Sequence, residues 1–334
     1  MVHEAMTLSR FLQREVEGRP RPDPATSAVL SDMARAGKTI AHEMRRAALV
    51  GLLGLSDETN PSGEEQKKLD VVANDIVLEV FGKTGEVAGI VSEEIEEIRP
   101  MSSGPDARYI LCVDPLDGSS NTDINCPVGT IFGFYERAGR GACGPIGEEL
   151  GGGMRQAVAG YVMYGPSTIL VYTRGNGVNG FTFEHDLDDF VLSHRMMRCP
   201  RRGRTFSANV GRSHDWGANV RRYVDYLTQR DPSTKRPYSL RYVGALVADV
   251  HRTLIEGGIF FYPADRSNRS GKLRLLYECA PMAYVVEQAG GRAGTGRQRI
   301  LDQRVESLHQ RVELVIGSPE DVALYEKFLA GGGV

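Results

Sequence analysis

The chain has 334 residues, of which 41% are hydrophobic, and a formal charge of −3 from 40 basic and 43 acidic side chains. This length and composition predict one large or two moderate globular domains with a sizeable core. The near balance of charge argues against nucleic acid as a partner, because it supplies no strong basic field. The first 30 residues lack the apolar core of a secretion signal, and the longest apolar stretch, 47–55, is too short to span a bilayer. We therefore expect a cytoplasmic protein with no membrane partner.

The cysteines and histidines show no pattern of a structural metal site. No Cys-x-x-Cys pair occurs among the five widely spaced cysteines, which are Cys112, Cys126, Cys143, Cys199 and Cys279. Their odd number and spacing predict free thiols rather than a disulfide framework or a zinc site. The histidines also lack ligand spacing, and His251 is interpreted as a structural residue.

The N-terminal half begins with helical patterns and continues with strand patterns. A basic, proline-rich stretch at 18–24 predicts an extended arm. Apolar residues recur every three or four positions over 29–47, with Thr26 or Ser27 as the expected N-cap, and a second one-sided stripe predicts a helix over 69–81. Short apolar runs predict strands at 89–92, 109–113, 130–135, 157–164, 168–173 and 180–183. The short connections between the later runs predict partly antiparallel pairing, and the glycine-rich segment 137–155 predicts a mobile surface loop.

The composition becomes basic and irregular near 199–204, which is the predicted domain boundary. It divides the chain into an N-terminal α/β domain at 1–199 and a C-terminal α/β domain at 200–334. In the second half, periodicity predicts helices over 220–227, 243–255 and 273–289 and a last helix from about Pro319. Strands are predicted at 259–262 and 312–316.

Two predicted strands deliver acidic residues at their C-terminal ends. The run 89–92 ends in Glu93-Glu94, and the run 109–113 is followed by Asp114-Pro115-Leu116-Asp117-Gly118-Ser119-Ser120-Asn121. In α/β sheets, ligands bind outside the C-terminal ends of strands, so this repetition favours one shared site. Carboxylates bind hard cations, and the N–H groups of 118–120, if they open a helix, can cradle a phosphate oxygen. Taken alone, the motif fits an acidic turn equally well, because these residue types favour turns.

Other acids extend this group, namely Glu64, Asp70 and Glu278. So many carboxylates together would repel one another unless cations neutralised them. Ligation by oxygen alone, without Cys or His, favours magnesium or manganese over zinc or copper. Two or three such ions can bridge a phosphate ester and activate water for an in-line displacement.

Several blocks resemble a known family. Asp-Pro-Leu-Asp-Gly-Ser-Ser at 114–120, with Val-Ser-Glu-Glu at 91–94, resembles the signature of the magnesium-dependent, lithium-sensitive phosphatase superfamily. More narrowly, other blocks resemble class I fructose-1,6-bisphosphatase, and together they extend from about Leu8 to Leu329. These blocks are Lys-Lys-Leu-Asp at 67–70, Gly-Thr-Ile-Phe-Gly at 129–133, Arg-Tyr-Val-Gly at 241–244, Val-Ala-Asp-Val-His-Arg at 247–252, Gly-Ile-Phe at 258–260 and Gly-Lys-Leu-Arg-Leu-Leu-Tyr-Glu-Cys at 271–279.

The resemblance implies a layered αβαβα sugar-phosphatase fold with mixed sheets. It also implies hydrolysis of the 1-phosphate of fructose 1,6-bisphosphate to fructose 6-phosphate by metal-activated water. Two or more Mg²⁺ ions would bind each subunit, Mn²⁺ could substitute for them, and the assembly would be a homotetramer.

The resemblance also implies roles for individual residues. Asp70 and Glu94 would assist the attacking water, and Glu64 would help place a metal or a loop. The metal ligands would be Glu93, Asp114, the Leu116 carbonyl oxygen, Asp117 and Glu278. Asp117, Gly118, Ser119 and Ser120 would receive the 1-phosphate, and Arg274 would lie near the metals and the reacting phosphate. The far phosphate would be held by Asn209, Tyr242, Tyr262 and Lys272, with Arg241 reaching across from a neighbouring subunit. A bisphosphate needs such a cationic cradle at its non-reacting end.

The chain departs from the family at its regulatory positions and near the far phosphate. Val210 stands where the family often has an acid, and Arg212 stands where the animal enzymes have a tyrosine, so the contacts to the far phosphate stay open. Around the AMP site of the animal enzymes, the turn at 23–27 is altered and Glu136 replaces an arginine, which predicts weak or absent AMP inhibition. Cys143 is alone in the loop where chloroplast enzymes carry paired cysteines, so no thiol switch is expected.

Alternative functions also have to be considered. The sequence does not separate fructose 1,6-bisphosphate from sedoheptulose 1,7-bisphosphate as substrate, nor gluconeogenesis from the Calvin cycle as setting. An inositol monophosphatase-like enzyme shares the acidic motif but lacks the blocks at 241–244 and 271–278. A non-catalytic sugar-phosphate sensor on the same fold is a further alternative, against which the retention of every carboxylate argues.

Overall fold

A computed structural model describes residues 5–14, 21–61, 63, 65–101, 106–139, 141–151 and 153–332. Glu64 and the first three residues, 18–20, of the predicted arm at 18–24 lie outside the described residues. The helices are α1 (Leu8–Leu12), α2 (Pro24–Val50), α3 (Lys68–Phe81), α4 (Ile146–Glu149), α5 (Ala218–Thr228), α6 (Leu246–Glu256), α7 (Ala280–Gln288) and α8 (Pro319–Leu329). Shorter helical turns include two 3-10 helices, Ser119–Ile124 and Val210–Asp215, and a π-helical turn, Leu275–Cys279.

The strands form two large sheets and two small ones. In the N-terminal half they are β1 (Leu55–Thr59), β2 (Glu65–Lys67), β3 (Val87–Ser92), β4 (Arg99–Pro100), β5 (Tyr109–Asp117), β6 (Val128–Glu136), β7 (Gln156–Tyr164), β8 (Thr168–Thr173), β9 (Val178–Glu184) and β10 (Asp189–Met197). In the C-terminal half they are β11 (Thr205–Ser207), β12 (Ser239–Leu240), β13 (Ile259–Tyr262), β14 (Leu273–Arg274), β15 (Arg292–Gly294), β16 (Arg311–Val312) and β17 (Leu314–Gly317).

Both large sheets are mixed. The first has the order β10-β9-β8-β7-β6-β5-β3-β4, in which β3 and β5 are parallel and every other pair is antiparallel. The second has the order β12-β11-β13-β17-β15, parallel up to β13 and antiparallel beyond it. The partly antiparallel pairing predicted from short connections is therefore confirmed.

Three apolar cores separate five layers. One core joins α2 and α3 to one face of the first sheet, and a second joins the other face of that sheet to α6, α7 and the second sheet. The third core packs α5 and α8 on the outer face of the second sheet. Both faces of β3 and β5 are covered, which explains why these strands read as continuous apolar runs. The expected αβαβα layering with mixed sheets is confirmed.

Helix α2 begins earlier than the sequence predicted. Asp23, not Thr26 or Ser27, is its N-cap, because the Asp23 Oδ1 atom accepts hydrogen bonds from the backbone nitrogens of Ala25 and Thr26 at 3.1 Å each. Pro24 then occupies the first helical position, where its missing N–H costs nothing. The prediction had used the start of the apolar stripe, which lies one turn inside the helix.

Other boundaries also differ from the predictions. The run 273–289 is not one helix, since β14 and the π-helical turn precede α7. The strand predicted at 312–316 is divided between β16 and β17, which belong to different sheets. The segment 137–155 contains α4 and is fastened by a buried ion pair, in which Arg137 Nε lies 2.5 Å from Glu149 Oε2. Strand β10 had no sequence prediction.

The structure bears on two expectations from the sequence, free thiols and the lack of a membrane-spanning segment. All five cysteines are free. Within the described ranges, no helix combines the length and the apolar character that a bilayer crossing requires.

Candidate active site

The first sheet places Glu93-Glu94, which follow β3, beside the acidic motif that begins at Asp114 of β5. Ser92 of β3 pairs with Val113 of β5 in parallel register, so both strands end at the same edge. The Glu93 nitrogen donates to the Val113 carbonyl oxygen at 3.2 Å, which ties the turn after β3 to the neighbouring strand. The predicted convergence of Glu93, Glu94 and Asp114 is therefore explained by the register of two adjacent strands.

Three buried carboxyls of the site lie close together. One oxygen each from Asp114, Asp117 and Glu278 lies within 4.8 Å of the others, and all three residues are buried. Glu278 comes from the distant π-helical turn, where its Oε2 atom accepts a hydrogen bond from the Arg274 nitrogen at 2.6 Å. Asp114 Oδ1 accepts from the Leu116 nitrogen at 3.1 Å, which holds the Leu116 backbone in the same pocket.

Burial and mutual repulsion raise the pKa values of these acids. Burial, followed by the charge of Glu93, raises the pKa of Glu278 to about 8, and burial raises the pKa of Asp117 to about 7. The pKa of Asp114 is raised well above its usual value for the same two reasons. A divalent cation would reverse this penalty, because it stabilises the charged carboxylates. The buried all-oxygen donor set fits magnesium or manganese.

Asp117 has a second role that the sequence did not reveal. Its Oδ1 atom accepts a hydrogen bond from the Leu246 nitrogen at 3.1 Å and its Oδ2 atom accepts from the Val247 nitrogen at 2.7 Å. These are the first N–H groups of α6, whose partial positive charge favours a carboxylate. Asp117 therefore fixes the start of α6 against the end of β5.

Gly118 makes the turn after Asp117 possible. Its φ of +78° lies in the left-handed region, and a Cβ at this position would overlap the side chain of Ala245. Only glycine meets both conditions without strain. The 3-10 helix that begins at Ser119 follows directly, so Gly118, Ser119 and Ser120 open a helical turn as predicted and line the pocket beside the carboxyls.

Asp70 and Glu94 line the same pocket. Asp70 Oδ2 accepts a hydrogen bond from the Lys67 nitrogen at 2.7 Å, while Asp70 Oδ1 is buried without a hydrogen bond to the described residues. Burial raises the pKa of Asp70 to about 6. The Gln66 side-chain amide donates to Glu94 Oε2 in a short contact. Gln66 was not predicted, and nothing in its local sequence marks it as a site residue.

The same pocket also carries hydroxyl and cationic groups. Tyr242, Tyr262, Lys272 and Arg274 all line it. Arg274 is buried, with its Nη1 atom 2.6 Å from the Lys272 carbonyl oxygen and its Nη2 atom 4.0 Å from Glu93 Oε1. The structure thus brings the four residues together with the acidic cluster in one continuous cleft.

Two predicted substrate residues do not line the pocket. Asn209 stands just before the 3-10 helix that begins at Val210. Arg241 is exposed, and its Nη1 atom donates to the Leu240 carbonyl oxygen at 3.0 Å. Within this single chain, Arg241 therefore does not line the pocket to which Tyr242 contributes.

A polar network that the sequence did not single out holds the segment carrying Tyr242. Buried Asp249 of α6 accepts hydrogen bonds from the nitrogens of Val243, at 3.0 Å, and Gly244, at 3.2 Å. Arg252, one turn later, donates to Asp249 Oδ1 and to the Arg241 carbonyl oxygen at 2.9 Å each. The segment 241–244 is thus fixed by the same helix that Asp117 caps.

Two further residues can now be located. Arg212 Nη1 lies 3.5 Å from Asp265 Oδ2 and 3.4 Å from Ser267 Oγ, in the loop that follows β13 and Tyr262. His251 Nδ1 lies 2.7 Å from the hydroxyl of buried Tyr161, which agrees with its interpretation as a structural residue.

Comparisons with known proteins agree with the fold and with the family that the motifs resemble. Residues 6–195 match the family model of the fructose-1-6-bisphosphatase N-terminal domain, and residues 199–330 match that of the C-terminal domain. A class 1 fructose-1,6-bisphosphatase of Acaryochloris marina is 52% identical over 306 residues, which cover 92% of each chain. One of Sorangium cellulosum is 46% identical over 327 residues, covering 98% of this chain and 94% of the relative.

Solved structures give the same result. The holo form of Leishmania major fructose-1,6-bisphosphatase superposes with a TM-score of 0.91 at 36% identity, covering 98% of this chain and 99% of the other. The layered architecture is thus that of the sugar-phosphatase fold. The chain belongs to the fructose-1,6-bisphosphatase family, as the sequence motifs indicated.

Proposed function

We propose that this chain hydrolyses the 1-phosphate of D-fructose 1,6-bisphosphate, releasing D-fructose 6-phosphate and inorganic phosphate. The observation that carries this proposal is one cleft lined both by the carboxyls and by Tyr242, Tyr262 and Lys272. A substrate with two phosphates matches such a cleft, because one group of residues can bind one phosphate while the other group hydrolyses the second.

The cleft would hold two or more divalent cations, Mg²⁺ or Mn²⁺, through Glu93, Asp114, the Leu116 carbonyl oxygen, Asp117 and Glu278. Such ions supply charge neutralisation for the reacting phosphate and acidify water bound to them. The raised pKa values of Asp117 and Glu278 support this assignment, since the site is poised to exchange protons for cations.

The remaining residues would orient the substrate and move a proton. The backbone of Gly118, Ser119 and Ser120 binds the 1-phosphate, and Arg274 offsets the charge near Glu93. Asp70 and Glu94 orient the attacking water and take its proton as the new oxygen–phosphorus bond forms. The bond between phosphorus and the C1 oxygen breaks, and that oxygen takes up a proton. Above a pH of about 6, Asp70 is ionised and able to act as this base.

The far phosphate would be bound by Asn209, Tyr242, Tyr262 and Lys272, together with Arg241 of a neighbouring subunit in a homotetramer. The exposure of Arg241, which does not line the cleft of its own chain, is compatible with this sharing. We also propose two domains, 1–199 and 200–334, supported by the division of the two large sheets between β10 and β11. The proposed setting is cytoplasmic carbohydrate metabolism, either gluconeogenesis or the Calvin cycle.

Phosphate release from purified protein tests the proposal. Fructose 1,6-bisphosphate with Mg²⁺ should give steady turnover that EDTA abolishes. Sedoheptulose 1,7-bisphosphate and inositol 1-phosphate, assayed in parallel, separate the broader bisphosphatase and monophosphatase alternatives. An absence of turnover on every sugar bisphosphate would leave the sensor alternative and refute the proposed activity.

A further inference from the structure

His309 lies between two elements that carry acidic residues of the cleft. One is the turn after β3, which contains Glu93 and Glu94, and the other is the π-helical turn that contains Glu278. These elements are far apart in sequence. His309 precedes β16, on a segment that provides no residue lining the cleft.

Both ring nitrogens of His309 have partners, one on each element. Its Nε2 atom lies 3.1 Å from the Glu96 carbonyl oxygen, and its Nδ1 atom lies 2.7 Å from the Tyr277 hydroxyl. A carbonyl oxygen only accepts, so Nε2 carries the hydrogen, and the Nδ1 atom of the neutral ring accepts from the Tyr277 hydroxyl. Partial burial lowers the pKa of His309, which favours this neutral form.

The Tyr277 side of the bridge is rigid. Tyr277 is fully buried, and the adjacent Leu276 carbonyl oxygen accepts a hydrogen bond from Tyr135 at 2.7 Å. The Leu275 nitrogen donates to the Gln310 carbonyl oxygen at 2.8 Å, beside His309 in the chain. The π-helical turn and the segment around His309 therefore form one fixed unit.

The Glu96 side is held by several contacts along the turn after β3. The Glu93 nitrogen donates to the Val113 carbonyl oxygen, and the Glu94 and Ile95 nitrogens donate to the Ser92 Oγ and carbonyl oxygen at 3.3 Å each. These contacts tie the turn to the sheet, whereas the His309 contact ties it to the π-helical turn. Ile98 and Leu308 pack against the apolar cluster that contains Tyr277.

We infer that His309 is a positioning residue, which holds the turn bearing Glu93 and Glu94 at a fixed separation from Glu278. Acids contributed by distant elements bind a shared cation well only when their separation is set in advance. His309 sets it by bridging the Glu96 backbone and the Tyr277 hydroxyl. This inference rests on the proposed metal-dependent function.

Near-isosteric variants separate the two halves of the bridge. His309→Gln keeps an N–H donor near the Nε2 position, facing Glu96, and loses the acceptor for Tyr277. His309→Asn keeps an acceptor near the Nδ1 position, facing Tyr277, and loses the donor to Glu96. Exposed His42→Gln on α2 is the matched control.

Cation affinity is the main measurement, made with Mn²⁺ on the full-length protein without substrate, by electron paramagnetic resonance titration. Each His309 variant should raise the Mn²⁺ dissociation constant about fivefold, the usual effect of one lost hydrogen bond, while His42→Gln leaves it unchanged. The Mg²⁺ concentration giving half-maximal phosphate release should rise in parallel. At saturating Mg²⁺, kcat should stay within about twofold of wild type, because the reacting groups are intact.

Tyr277→Phe provides the decisive second test. Removal of the hydroxyl should weaken Mn²⁺ binding in wild type and in His309→Asn, but should add nothing in His309→Gln, which has already lost that contact. The inference is overturned if the His309 variants lower Tm while Mn²⁺ affinity equals that of wild type. It is also overturned if Tyr277→Phe weakens binding equally in all backgrounds.

The two proposals fail in different ways. A wild-type protein that binds Mn²⁺ but releases no phosphate refutes the proposed activity, and the binding titrations still decide the role of His309. A wild-type protein that releases phosphate, with variants of unchanged Mn²⁺ affinity and unchanged Mg²⁺ dependence, refutes the positioning role alone.

Discussion

Raising the pH of the metal-free protein should lower its free energy of unfolding. The cause is the raised pKa of the buried acids, about 7 for Asp117 and about 8 for Glu278. At pH values between the pKa of such an acid in the unfolded chain and its pKa in the folded state, the folded state binds more protons than the unfolded chain. Its contribution to stability is therefore complete at low pH and is lost as the pH rises through the folded pKa.

The size of this loss follows from the pKa values. Between about pH 5.5 and pH 8.5, the contribution of Asp117 should fall by about 2 kcal/mol and that of Glu278 by about 3 kcal/mol. The two carboxyls are neighbours whose charges interact, so their contributions are not independent. We expect a total decrease of about 2–5 kcal/mol in the presence of EDTA. Saturating Mg²⁺ should remove most of it, because the cation binds the charged carboxylates of the folded state.

Urea unfolding followed by circular dichroism measures the effect, at one protein concentration across the pH range. Glu278→Gln keeps an oxygen acceptor for the Arg274 nitrogen and should flatten the pH dependence. Exposed Asp75→Asn on α3 should keep the full decrease. A metal-free stability that is constant or increases over this range would refute the assignment of raised pKa values to the acidic cluster.

Three further predictions concern activity. Asp117→Asn should reduce kcat at least about a hundredfold. It should also lower Tm, since it loses one of the two hydrogen bonds that cap α6. A lower Tm with an unchanged kcat would contradict a catalytic role. Arg241→Ala should raise KM for fructose 1,6-bisphosphate about tenfold with little change in kcat, and an unchanged KM in steady-state assays would remove Arg241 from the site. AMP should inhibit weakly or not at all, because Arg108 forms an ion pair with Asp23 at 2.7 Å and Glu136 adds negative charge beside Tyr109. Inhibition at micromolar AMP in a titration would show this reasoning to be wrong.

The acidic half of the site was accessible from sequence because its signals are local. Glu93, Asp114 and Asp117 each follow an apolar run that forms a buried strand, and two such strands with acids at the same end predict a shared site. Gly118 could likewise be interpreted locally, because its position after an acid and before two serines fits a helical turn. The site roles of these residues stay predictions until the variants are measured.

The contacts between distant segments could not be derived in this way. Glu278 sits in a π-helical turn, whereas periodicity alone predicted a continuous helix over 273–289, since an apolar run does not distinguish the two. The contact of Gln66 with Glu94 and that of Asp249 with the nitrogens of Val243 and Gly244 depend on how separate elements pack. The cap of α2 was missed for a simpler reason, because Asp23 and Pro24 precede the apolar stripe on which the prediction relied.

The first turn of helix α6 supports two parts of the cleft at once. Asp117 caps this turn from the acidic cluster, and Asp249 in the same turn accepts hydrogen bonds from the nitrogens of Val243 and Gly244, next to Tyr242. In the proposed binding mode, the group that would hold the cations and the segment that would hold the far phosphate therefore share one support. A displacement of this turn would move both together, which couples the two binding groups through the start of α6.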